Sequence, residues 1–154
     1  MLAARLSALT GIPWHQVDDL TYEPGWVQVP VEEQRRRIEA ICAGERWILD
    51  TAYSSWIDVP LARVQLIVAL DLPRAVSFAR LLRRTVARVV DGRAICNGNR
   101  ETLRTVLARD SILLWHFRAF ASKRRRIDAW EKAGLPVVRL RSARAVEEWV
   151  SAIR

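Results

Sequence analysis

Two uninterrupted apolar runs, each ending in an aspartate, limit this chain more than any other feature. Trp47-Ile48-Leu49 leads into Asp50, and Leu66-Ile67-Val68-Ala69-Leu70 leads into Asp71. Neither run alternates apolar with polar residues, as a strand with one wet face would, so both predict strands buried on two faces. Segments with helical spacing lie between and around them, which suits parallel strands joined by crossover helices. The expectation is an α/β protein in three layers, a parallel sheet with helices on both faces. The chain has 154 residues, the length of one domain, and residues 1–154 are read as a single one.

The other segments fit this pattern. Leu2, Leu6 and Leu9 share a helical face, stopped by Gly11 and Pro13. Pro13 to Val17 reads as a short strand, and Asp18 to Gly25 as a polar loop. Pro30 opens a helix with Val31, Ile38, Ile41 and Cys42 on one face, closing near Gly44. A helix from Pro73 to about Val89 is followed by a loop containing Gly92 and Gly98, then by helical stretches from about Arg100 to Trp130. Pro136 to Leu140 is the last strand, and Ser142 caps a final helix.

The net charge of +8 is unevenly spread. Up to Asp71 there are six Lys and Arg against ten Asp and Glu; from Leu72 onward there are nineteen against seven. The basic half expects an anion, either nucleic acid or the phosphates of a small ligand. The longest apolar run, five residues, is far below the ~20 that a membrane span needs, so no membrane partner is expected and the cytoplasm is the default. Cys42 and Cys96 read as free thiols, and His15 and His116 have no partner at metal-ligand spacing.

Ligands of open parallel α/β sheets bind beyond the carboxyl ends of the strands, where Asp18 and Asp50 are expected. Carboxylates there can orient or deprotonate a hydroxyl, or hold Mg²⁺ through its water shell. Each could equally begin a turn or cap a helix, and Asp71, before Leu72-Pro73, reads as a turn residue. Arg80, Arg84 and Arg88 recur every four residues on one helix, with Arg83 beside them. Like charges at this spacing repel, so the row expects an anion over it, or else a solvated face. Lys123 to Arg126 form a second basic run, open to solvent or nucleic acid. Trp26, after Pro24-Gly25, stands on the substrate side and is a candidate wall for a ligand. The other six tryptophans read as core or half-buried packing.

These residues together resemble bacterial P-loop kinases akin to adenylate kinase, in particular the small DNA topology modulation (FlaR-like) proteins. The likeness runs from Gly11-Ile12-Pro13 through Asp18 to Pro24-Gly25-Trp26, then Trp47-Ile48-Leu49-Asp50 with Tyr53. It continues through Leu70-Asp71-Leu72-Pro73 with Arg80, Arg83 and Arg84 to the strand and helix after Gly134. It implies an ATP- and Mg²⁺-dependent kinase acting on a nucleotide or other small acceptor. By that resemblance Asp18, with Trp26 and Tyr53, contacts the acceptor, and Asp50 sits near Mg²⁺ and the transferred phosphate. Arg80 would lie against adenine, Arg84 would reach the phosphates, and Arg88 would help stabilise charge in flight. A lid would cover residues 89–110, including Asn97-Gly98-Asn99.

The family pattern also has a first strand and G-x-x-x-x-G-K-[ST], neither of which the 154 residues contain. Aligned on Gly11-Ile12-Pro13, Met1 falls one position after that Ser or Thr. The resemblance thus implies a chain inactive as written, through a start codon set too far downstream or a fragmentary gene. The alternative is a P-loop-less relative that binds substrate or nucleic acid without turnover. Without the central strand, the runs ending at Asp50 and Leu70 are expected to face each other across a gap.

Overall fold

The computed structural model describes residues 1–92, 94–100 and 112–153. It has two compact units. One comprises Met1–Val64, Cys96–Asn99 and Val150–Arg154; the other comprises Gln65–Ile95 and Arg100–Trp149.

In the first unit, α1 (Leu2–Thr10) ends at Gly11, whose left-handed φ of 69° lets its N–H close on the Ser7 carbonyl at 2.8 Å. β1 (Trp14–His15) pairs in parallel with β4 (Ile48–Leu49), Trp14 opposite Ile48 and His15 opposite Leu49. The expected loop from Asp18 to Gly25 is instead α2 (Val17–Thr21) followed by an antiparallel hairpin, β2 (Tyr22–Glu23) and β3 (Val27–Gln28). The reason is a pair of residues one turn apart: Val17 and Thr21 are both buried, and the Thr21 hydroxyl donates to the Val17 carbonyl.

Pro30 precedes α3 (Val31–Cys42), and Glu32 and Glu33 stand in its first turn, where the helix dipole favours negative charge. Val31, expected on the buried face, is exposed; Gln34 takes an inward place beside Ile38 and Cys42. A buried amide there is tolerable because both ends are bonded, the NH₂ to the Val29 carbonyl at 2.7 Å and the oxygen to the Trp56 indole N–H at 3.0 Å. Val17, Ile38, Cys42 and Trp56 form the core of this unit, with Leu20, Trp47, Leu49 and Tyr53 packed around them. After β4 the chain passes Tyr53 and Trp56 to reach α4 (Asp58–Leu61).

In the second unit, β5 (Ile67–Leu70) and β6 (Val137–Leu140) are parallel and in register from Ile67 with Val137 to Leu70 with Leu140. Among the described residues each parallel sheet has two strands. Leu66 and Leu70, expected to be buried, are 47% and 48% exposed. α5 (Arg74–Asp91) and α6 (Ile112–Lys132) pack in this unit, and α7 (Ala143–Ser151) follows β6. Ser142 caps α7, its hydroxyl accepting the Ala145 N–H at 3.0 Å.

Asp71, which reads from sequence as a turn residue, is a buried anchor. It accepts from Arg124 Nε at 2.6 Å and Arg139 Nε at 2.8 Å, and Arg139 continues to Asp128 and Glu131. Arg124 belongs to the basic run read as solvent-facing or nucleic-acid-binding, so part of that run is structural. No described helix is long and apolar enough to cross a membrane.

Candidate active site

The first unit contains four of the expected site residues, Asp18, Trp26, Asp50 and Tyr53. Asp18 lies in the first turn of α2, where β1 has just ended, and Asp50 directly follows β4, the parallel partner of β1. Both therefore stand at the carboxyl end of the same two-stranded sheet. The Val17 N–H donates to Asp50 Oδ1 at 3.0 Å, which ties this carboxylate to the start of α2. The Tyr53 hydroxyl donates to Asp18 Oδ1 at 2.8 Å.

Asp18 acts on the groups around it. Burial raises the pKa of Asp50, the Val17 N–H works against that, and the charge of Asp18 adds to the rise. Burial also raises the Tyr53 and Tyr22 hydroxyls, with Asp18 second in each case. The Cys96 thiol is pushed up to about 11 by burial, again with help from Asp18, and this leaves it protonated and a weak nucleophile. The Trp14 indole N–H is buried and makes no hydrogen bond of ordinary geometry among the described residues, though it lies near Asp50.

Asp50 has no ion-pair partner among the described residues, so its charge and that of Asp18 oppose each other without a cation between them. Asp18 and Asp50 are the carboxylates that could hold a cation there; Mg²⁺ typically takes one or two carboxylates and fills its remaining positions with water and phosphate oxygens. No cluster of three or more potential metal-ligating side chains occurs among the described residues, so a fully protein-built metal cage is not present there.

Trp26 is brought in through Tyr22. Their rings meet edge to face, centroids 5.9 Å apart at 75°, and Trp26 remains 37% exposed. Its φ of 59° lies in the left-handed region, which is unusual for a bulky residue and costs about 1–3 kcal/mol. The strain is held by a distant turn. Asn99 Oδ1 accepts from the Gly25 N–H at 2.7 Å and the Trp26 N–H at 2.9 Å, while its NH₂ donates to the Glu23 and Cys96 carbonyls. Beside it Asn97 donates to the Asp19 and Tyr22 carbonyls, and Cys96 Sγ donates to the Asp18 carbonyl at 3.0 Å. The resemblance put this turn in a lid; its bonds to α2 and the hairpin were not foreseen. The available signal was composition: Asn-Gly-Asn suits positive φ, and Cys96, Asn97 and Gly98 all adopt it.

Of the lid expected over residues 89–110, residue 93 and residues 101–110 lie outside the described residues. Arg80, Arg84 and Arg88 all lie on α5 in the second unit, the first two exposed and Arg88 half-buried. In the same unit a cavity of about 90 Å³ is lined by Asp71, Ser77, Phe120, Lys123 and Arg124 among others. Arg74 and Arg124 lie over the Phe120 ring at 5.8 and 5.6 Å. The chain matches no family model, no curated protein and no solved structure.

Proposed function

We propose that the chain is a P-loop kinase-like protein that transfers the γ-phosphate of ATP to a small hydroxyl or phosphate acceptor. The observation that carries this reading is the Asp18–Asp50 pair: two electrostatically coupled carboxylates at the carboxyl end of a parallel strand pair, with no balancing cation among the described residues. Asp18, oriented by Tyr53, binds the acceptor and takes its proton. Asp50 completes the carboxylate pair toward Mg²⁺, which when bound neutralises charge on the phosphates. Trp26 walls the acceptor, and Arg80, Arg84 and Arg88 bind the triphosphate and stabilise charge in flight. The three-layer sheet and a phosphate-cradling loop belong to this proposal.

The first check is to read the frame upstream of Met1: G-x-x-x-x-G-K within about twenty codons supports the kinase, and an immediate stop codon counts against it. The second is calorimetric titration of the protein carrying those codons with Mg²⁺–ATP. Arg84→Ala and Asp50→Ala are each expected to weaken binding about tenfold or more. Unchanged affinity in both removes the site assignment.

A second reading rests on the exposed guanidinium row of α5 and the basic second half: a nucleic-acid-binding surface without turnover. It requires affinity that falls steeply with salt. Undetectable binding to DNA and RNA at low ionic strength eliminates it.

A further inference from the structure

We propose that Asn99 is a positioning residue that presents Trp26 as a stacking wall for an acceptor with a planar ring, such as a nucleotide. This rests on the acceptor-site reading of Asp18 and Trp26 given above.

A carboxamide has two acceptor lone pairs and two donor hydrogens, and Asn99, which is buried, uses all four on backbone groups. Two of those four are the consecutive N–H groups of Gly25 and Trp26, both at positive φ. The three-residue connection Pro24-Gly25-Trp26 calls for a left-handed residue at its end, a place that glycine fills without strain, yet a tryptophan stands there. Strain of this kind persists where the surroundings over-determine it, and it collects at ligand sites.

The held ring keeps more than a third of its surface exposed, and Tyr22 sets its tilt from one side. Tyr22 also feels the charge of Asp18, which in turn holds the Tyr53 hydroxyl. On this proposal one ligand meets the aromatic surface near one end and a carboxylate with a phenol near the other. That pairing suits a molecule with a flat ring joined to a hydroxyl or phosphate, and stacking on tryptophan tolerates any ring with a π face. Asn97 and Cys96 act on the same assembly from the α2 side, fixing the carbonyls of Asp18, Asp19 and Tyr22. The turn thus sets the ring and the carboxylate together.

The test needs no ATP. Protein labelled with 5-fluorotryptophan is titrated with AMP and with ribose 5-phosphate, which keeps the phosphate and lacks the base; Trp26→Phe assigns the Trp26 fluorine line. AMP is expected to shift that line and to bind about tenfold or more tightly than ribose 5-phosphate, with Trp26→Ala abolishing the difference. Asn99→Ala is expected to move and narrow the Trp26 line and to weaken AMP to the same degree, while the core lines of Trp47 and Trp56 stay in place. Should that variant not fold, Asn99→Asp serves. It keeps acceptors for both N–H groups but cannot donate to the Glu23 and Cys96 carbonyls, so intermediate binding is expected. Equal affinity for the two probes, or a Trp26 line and AMP affinity unmoved in the Asn99 variant that folds, overturns the proposal. Ring-dependent binding, with no transfer from ATP even in the protein carrying the upstream codons, would sink the kinase reading alone. Transfer with an unchanged KM in Trp26→Ala would sink this one alone.

Discussion

Asp50 and Asp71 occupy equivalent places, each just past the end of a parallel strand, yet their surroundings act on them in opposite directions. Asp71 is drawn below the usual carboxylate range, first by its hydrogen bond to Arg124 and then by Arg139, against the opposing effect of burial. Asp50 is pushed above that range by burial, and the charge of Asp18, another carboxylate, adds to the rise. A carboxylate already neutralised by two guanidinium groups has little left to offer a ligand. One kept partly out of water, beside a like charge, gains from any cation or proton that arrives. The second unit thus uses its strand-end aspartate to fasten α6 to β6, while the first keeps its own in reserve.

Four experiments press on this contrast. The largest effect is expected from Trp56→Ala, which empties the centre of the core beneath the first pair and strands the Gln34 oxygen. It should cost about 3–5 kcal/mol in urea unfolding, and a loss under 1 kcal/mol would mean that this core does not support the site. Next is Asp71→Asn, expected to lower Tm by several degrees at neutral pH. Because the folded pKa is depressed, the stabilisation is present above the unfolded value and fades as pH falls through the folded one. The gap between variant and parent should therefore close in acid, and a constant gap from pH 7 to 2 breaks the ion-network account.

The third, Asp50→Asn, has the opposite sign. The folded chain holds this proton more tightly than the unfolded chain, so the charged form carries a penalty above the folded pKa that disappears below the unfolded one. The variant should melt slightly higher at neutral pH and equally in acid, with Mg²⁺–ATP binding weakened. A lower Tm at neutral pH would make Asp50 a structural residue like Asp71. The smallest effect is expected from Arg35→Ala. Its two hydrogen bonds to Asp58 are exposed, and Tm should not move measurably; a drop of several degrees would mean that a solvated ion pair supports the fold as the Asp71 network does.

Much of the framework was legible in the residues themselves. Gly11 stops α1, Pro30 opens α3 and Ser142 caps α7, because these act through local backbone geometry. The closeness of Asp18 and Asp50 followed from assigning both to strand ends. What escaped was polar and long-range. Gln34 displaced Val31 from the inward face because of Trp56, 22 residues away, and apolar periodicity is blind to a polar side chain whose partner lies elsewhere. Asn99 was equally hidden, since its four partners are set by a turn and a hairpin that are separate in sequence.

That separation has a consequence for how the molecule is made. The bonds from Asn97 and Asn99 to α2 and the hairpin span 73 to 78 residues. As the polypeptide leaves the ribosome, α1 to α4 can collapse around Trp56 while the tip at Gly25-Trp26 stays loose. The tip can lock only after residue 99 has emerged and doubled back, so long-distance loop closure sets its timing. Maturation of this corner should lag behind the rest of its unit, and a nascent chain stalled just short of Cys96 should carry a tryptophan still free to turn.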